Sequence, residues 1–327
     1  MPEGCPLWVK SGSDRYLLGD RIVRSLSPAL TRRCQMLDPD LRRTWLFGPG
    51  ADSAAHQAML ASGADALIVD LEDFTTPNRR DEARSVLIPY VQGCRGRGCI
   101  AAVRINQLED CGSLDLAAAM TARPDVIVYP MAEHATQMHA LDAAISDWEA
   151  KLDIETGYTE IVPVCETALG VVDVRAITSV SQRIRCALLG SEDLANDLNA
   201  ERGADATELD HTRRRFILEC RAIKVEPIDA PYTFSDVDGA VREARYARRL
   251  GYRCKSLVRS EHTQPLNDAF SPTEAELQRA HAIVEGFETA RARGEDRALV
   301  DGLWAEVPAF RNACRLIERS HRLGVRS

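Results

Sequence analysis

From about residue 43 onward, short apolar runs alternate with longer stretches in which apolar residues recur every three or four positions. The runs are Thr44–Gly48, Ala66–Leu71, Ile100–Ile105, Val126–Tyr129, Ile161–Cys165, Cys186–Gly190, Val225–Ile228 and Ser256–Val258. Their length and apolar character suit strands buried on both faces. The segments between them read as helices: Asp52–Ser62, Asp81–Gln92, Leu114–Ala122, Ala135–Lys151, Val171–Ser179, Leu209–Ile223 and Asp236–Arg249. Strands alternating with helices predict parallel βαβ units. Eight of them is the count of an α/β (β/α)8 TIM barrel. A doubly wound open sheet more often carries a glycine fingerprint after its first strand, and FGPGADSAAH does not match it.

Residues 1–42 are polar and weakly patterned. They read as an N-terminal extension, with a helix near Pro28–Leu37. Residues 43–270 would form the barrel, and residues 271–327 a C-terminal helical extension. There, SPTEAELQRAHAIVEGFETARARG opens with a capping signal at Ser271 and Glu274 and predicts a long helix ending at Gly294, followed by a last helix over Arg311–Arg322. A barrel does not need this tail, which would pad the outside or reach a neighbouring subunit.

Composition narrows the partners. The 327 residues are 45% hydrophobic and carry a net charge of −8. An acidic chain lacks the basic footprint of a nucleic-acid or anionic-membrane binder. The sequence contains no run of about 18 apolar residues, so no transmembrane helix is expected. The start, MPEGCPLWVKSGSDRY, lacks the apolar run of a signal peptide, and a cytoplasmic protein is expected. The ten cysteines are scattered. Cys94 and Cys99 in GCRGRGC lack zinc spacing, and reduced cysteines serving as small core residues are expected. The glycines of that segment read as a flexible loop joining helix to strand.

In a barrel, chemistry sits where the strands end. The residues at those ends are Pro49 and Gly50, Glu72 and Asp73, Arg104 and Asn106, Pro130, Glu166, Glu192 and Asp193, and Asp229, with Lys255 and Arg259 flanking the last strand. Carboxylates gathered at one mouth repel unless a cation lies among them. Glu166 and Asp193 follow consecutive strands, and their hard oxygens suit Mg²⁺, or Mn²⁺ in its place. The plainer reading is a pair of solvated loop acids. Arg104 lies within an apolar strand and needs an anionic partner: Asp70 or Glu72, a substrate carboxylate, or both in turn. Glu72 and Asp73, in DLED, would support Arg104 and bound water, or cap the next helix. Lys255 admits a Schiff-base aldolase, although an ion-paired lysine is the more ordinary role.

ASGADALIVDLED, VRIN, VPVCETALG, GSEDLANDL, IDAPYTFSD and NDAFSPT, in this order between about Arg43 and Ile317, resemble the citrate lyase β-subunit-like family, which includes citryl-CoA and malyl-CoA lyases. The resemblance implies a (β/α)8 barrel in homotrimers or homohexamers. It also implies a Mg²⁺-dependent aldolase-type reaction in which a 2-oxo acid (oxaloacetate, glyoxylate or pyruvate) and a CoA thioester are joined or separated. Glu166 and Asp193 fall on the family's metal ligands. Arg104 falls on its substrate-binding arginine. DGLWAEVP matches a C-terminal segment whose acid acts from a neighbouring subunit in some members, which places Glu306 there as a catalytic acid, with Asp73 through a water as the alternative. In this scheme Arg104, Glu166 and Glu72 contact substrate. The chain departs from the pattern at Val258–Ser260, where many members have Ile-His-Pro; at Phe74-Thr75, usually Ala-Val; at Leu169, usually Arg; and at Glu306, usually Asp. These changes leave the metal pair intact and alter the thioester edge. A metal-dependent malyl-CoA-type thioesterase and a non-catalytic ligand-binding scaffold are the alternatives.

Overall fold

The computed structural model describes residues 36–324. The helix expected near Pro28–Leu37 lies almost wholly outside them. Eight parallel strands close into a barrel in sequence order, β1 through β8. They are β1 Thr44–Pro49, β2 Ala66–Asp70, β3 Ile100–Arg104, β4 Val126–Tyr129, β5 Glu160–Cys165, β6 Cys186–Leu189, β7 Glu226–Asp229 and β8 Cys254–Leu257. Each apolar run thus became a strand, shifted by at most two residues at either end.

Alternation along these strands separates two cores. Trp45, Phe47, Ile68, Ala102, Val128, Val164, Leu188 and Ile228 point inward and fill the barrel. Leu46, Val69, Val103, Ile127, Cys165, Leu189 and Leu257 point outward and pack beneath the helices. Those helices are α1 Ser53–Ala61, α2 Arg80–Ser85, α3 Leu87–Arg97, α4 Ser113–Ala122, α5 Ala135–Lys151, α6 Ala168–Val172, α7 Val174–Thr178, α8 Glu192–Asp197, α9 Asp210–Ala222, α10 Val237–Leu250 and α11 Thr263–Phe270. Two helices expected to be continuous are broken: α2 and α3 meet at Val86, and α6 and α7 meet at Asp173. The GCRGRG segment is helical through Arg97 and not a loop. Only Gly98, at φ 72°, leaves the helix, as its left-handed C-terminal cap.

Charge closes the foot of the barrel. Fully buried Arg42 grips Glu160 through two bonds of 2.6 and 3.0 Å, and Arg185 adds a third at 2.9 Å. A second ionic cluster lies outside the strands. Asp229 takes both arms of Arg213, at 2.9 and 2.7 Å, and Lys255 Nζ sits 2.7 Å from both Asp229 and Glu243. Asp229 therefore does not join the mouth, where the sequence reading had placed it. It follows inward-facing Ile228, so the pleat turns it outward. The same alternation turns Lys255 away from the cavity, and its ion pairs bear out the ordinary role for it.

Past β8, the long helix α12 spans Glu274–Ala292. Thr273, not Ser271, is its N-cap, in a capping box with Glu276. A short antiparallel hairpin that the sequence did not announce follows, β9 Ala298–Val300 and β10 Leu303–Ala305. The last helix, α13 Val307–Leu323, packs on α12, with Phe287 stacked on Phe310 at 4.8 Å. Among the described residues, no helix is long and apolar enough to cross a membrane. All eight cysteines described are free thiols, and six of them are buried.

Candidate active site

The strand C-termini surround a cavity of about 310 Å³. Its lining includes Phe47, Asp73, Phe74, Arg104, Val164, Glu166, Leu188, Glu192, Asp193, Thr233 and Val258. One side is therefore apolar and the other is charged.

Arg104 ends β3 facing inward, and five side chains surround it. Its Nε and Nη2 reach the two oxygens of Asp70 at 2.7 and 2.5 Å. Its Nη1 lies 2.7 Å from Glu72, and Nη2 lies 3.6 Å from Asp73. The rings of Phe47 and Phe74 flank its guanidinium at 5.2 and 5.8 Å. Asp70 also accepts the amide N–H groups of Glu72 and Phe74, so the DLED turn folds around this one carboxylate. The contact with Glu72 lies off the hydrogen-bonding direction, and Glu72 Oε2 is buried with no donor aligned on it.

Glu166 follows β5 and is buried. The amide of Met131 donates to its Oε1 at 2.8 Å. Met131 has φ 49°, an unfavourable backbone for a non-glycine residue, held where it serves this carboxylate. Gly190 makes room for the side chain, since a Cβ there would lie 2.4 Å from Glu166 Cβ. Asp193 stands in the first turn of α8, exposed to solvent. Its neighbour Glu192 is occupied elsewhere, by Thr233 at 2.8 Å and Arg202 at 3.1 Å.

The mouth holds more negative charge than Arg104 can balance. Burial pushes the Glu72 carboxyl up to about 8, against the pull of Arg104 and with help from Asp73, Glu166 and Asp70. Burial likewise pushes Glu166 up to about 7, with Asp193 and Asp73 adding to it and Arg104 opposing. Asp193 is raised too, by partial burial and by Asp73. Such an excess is what a bound cation relieves. Among the described residues, no group of three or more His, Cys, Asp and Glu side chains is placed to hold a metal. The fit is therefore to a hard ion that takes two carboxylates and fills its other positions with water and ligand, as Mg²⁺ does.

Arg104, Glu72, Asp73, Glu166 and Asp193 thus come together. Glu306 does not join them. It is exposed at the start of α13 and outside the cavity lining. Two groups escaped the sequence reading. The Met131 amide carries no side-chain signal, whereas Gly190, between an apolar run and Ser-Glu-Asp, could have been read as a close approach.

A closed eight-strand barrel with ionisable groups at its C-terminal mouth places the chain among barrel enzymes that work at that face. It belongs to the HpcH/HpaI aldolase/citrate lyase family, whose model matches residues 43–260. The chain is 30% identical to the citrate lyase subunit beta of Leuconostoc mesenteroides subsp. cremoris, over 85% of this chain and 93% of that one. It is 26% identical to the L-malyl-CoA/beta-methylmalyl-CoA lyase of Cereibacter sphaeroides, over 90% and 96%. Its fold matches that of the CitE protein of Mycobacterium tuberculosis, solved with magnesium, acetoacetate and coenzyme A, at a TM-score of 0.69 and 22% identity over 85% and 98%. The enzyme class is carbon–carbon lyase.

Proposed function

We propose that the protein is a Mg²⁺-dependent lyase that cleaves or forms a 3-hydroxy-acyl thioester of the citryl-CoA or malyl-CoA type, with oxaloacetate, glyoxylate or pyruvate as the 2-oxo acid. The observation that carries this reading is the gathering of Glu72, Asp73, Glu166 and Asp193 around the single guanidinium of Arg104, where burial, with the neighbouring carboxylates adding to it, raises Glu166 to about 7 and Asp193 above its ordinary value. Glu166 and Asp193 would hold the ion, with Glu166 aimed by the Met131 amide. When bound, Mg²⁺ supplies positive charge that polarises a carbonyl oxygen. Arg104 offsets oxyanion charge as it develops, and Asp70 keeps its guanidinium from turning away. Substrate carboxylate would take Arg104 Nη1 from Glu72, whose hold on it is poorly aligned. Phe47, Phe74, Val164 and Val258 keep water from one side of the cavity. Asp73, on the rim, would pass a proton through a water. Glu306 would act only at a neighbouring subunit's mouth, with residues 271–327 as the lid between subunits of a trimer or hexamer.

The test is Mg²⁺ titration with and without each 2-oxo acid, for wild type, Glu166→Gln and Asp193→Asn. The 2-oxo acid should bind only with Mg²⁺, and both variants should fold yet lose binding and turnover. Full turnover in either variant would sink the proposal. Release of free CoA without a 2-oxo acid would identify a thioesterase instead.

A further inference from the structure

Five arginines are buried among the described residues: Arg42, Arg104, Arg183, Arg213 and Arg319. Each of the first four has a carboxylate oxygen within 2.7 Å. Arg319, on α13 and 7% exposed, has none. Its Nη2 reaches the carbonyls of Arg253 and Phe270 only at 3.4 Å, and its Nη1 is buried with no acceptor. Asp40 and Glu226 act on it only from a distance, and a buried guanidinium with no carboxylate in contact is costly, which the other four avoid.

Arg319 borders a cavity of about 240 Å³ that is also lined by Arg248, Arg253, Arg315, Tyr252 and Asn312. Arg253 immediately precedes β8, so the cavity lies at the foot of the barrel, at the opposite end from the mouth. Arg248 is held by Glu276 at 2.8 Å, and Arg253 is only 3.7 Å from Asp40, which Arg322 shares at 3.4 Å. Arg315 bonds to Asn312 Oδ1 and to the carbonyl of Arg311. Four guanidinium groups therefore meet with one close carboxylate between them. Burial, with the charge of Arg253, pushes Arg319 down to about 10, below any ordinary arginine.

We propose that this cavity binds a phosphate group, as the free ion or as the monoester end of a small molecule, with Arg319 and Arg315 as its principal ligands. A doubly charged anion with several acceptor oxygens satisfies several guanidinium forks at once, which a single carboxylate does not. The site is separate from the lyase site and does not depend on its assignment.

The experiment is calorimetric and thermal titration of the full-length protein with inorganic phosphate and with glycerol 3-phosphate, at matched ionic strength against chloride and acetate. Wild type should show saturable 1:1 binding and a rising melting temperature. Arg315→Ala, an exposed position, should weaken binding at least tenfold, and Arg319→Met should abolish it. Without phosphate, Arg319→Met should melt no lower than wild type, because an uncompensated charge has been removed. Glu166→Gln should leave phosphate affinity unchanged, which separates this site from the mouth. Tighter binding of glycerol 3-phosphate than of phosphate identifies a monoester, and the reverse order identifies the free ion. No saturable binding, equal binding by acetate, or full binding by Arg319→Met overturns the proposal. So does an oligomer that dissociates in Arg315→Ala without any anion binding, since a partner's carboxylate would then be the counter-charge.

Discussion

Substituting alanine for Gly190 tests the placement of Glu166 without altering any ionisable group. The new methyl carbon would lie 2.4 Å from Glu166 Cβ and 2.9 Å from its Oε2. Non-bonded carbons rest roughly 3.5–4.0 Å apart, so the carboxylate must move by at least about 1 Å. The backbone gives little freedom to share that shift, because the Gly190 amide is bonded to the Cys165 carbonyl at 3.1 Å. Metal–ligand distances tolerate only about 0.2 Å. Gly190→Ala should therefore weaken Mg²⁺ binding by about 10- to 100-fold, the range seen when a ligand's supporting contacts are lost. Overpacking of this kind should also cost about 1–3 kcal/mol of stability. Mg²⁺ calorimetry on the variant, with circular dichroism to confirm folding, measures both. A folded Gly190→Ala protein with wild-type Mg²⁺ affinity would refute the assignment of Glu166 as a ligand.

Metal binding should depend on pH. With Glu166 raised to about 7, the ion displaces a proton below that value, so Mg²⁺ affinity should fall as pH drops from 8 to 6. Calorimetry in two buffers of different ionisation enthalpy should find proton release near pH 7, and a flat affinity would contradict the shift. For the metal-free protein the sign follows from the folded state holding protons that the unfolded chain has lost. Stability should decline as pH rises from about 4.5 towards the value of about 8 at Glu72, and saturating Mg²⁺ should flatten that slope in a thermal melt series. Lys255→Met breaks the buried cluster with Asp229 and Glu243 and should cost about 3–5 kcal/mol in urea unfolding. Borohydride with a 2-oxo acid should trap nothing on the wild-type Lys255, and an adduct there would overturn its purely ionic role. Among the eight described cysteines, Cys111 and Cys314 should react with a thiol reagent in the native state, and the six buried ones only after unfolding.

The barrel was legible because its strands are buried on both faces. Each is a compact apolar run, and a run survives small errors in its ends. Facing is less forgiving, as Asp229 shows: one step along the strand separates the cavity from the outer layer. Asp193 escaped that ambiguity because it stands on a helix turn beyond the strand. Gly93 and Gly96 misled for a different reason. Their helix packs well enough to override a weak local preference, and only Gly98 has the backbone that demands glycine. The hairpin Ala298–Ala305 is too short to produce a periodic signal. The Met131 amide could not be read at all, since a backbone group is positioned by the fold and not by its own residue type.

Phe74 follows the DLED turn on the rim of the mouth. It meets Phe47 edge-on at 6.3 Å and forms a wall of the cavity beside Arg104. An uncharged ring thus lines the mouth on the side of Arg104, and the same ring rests against that guanidinium. Exchanging it for something smaller should change which ligands fit and also loosen the seat of Arg104. The shape of the mouth and the seating of its arginine are therefore tied to one ring.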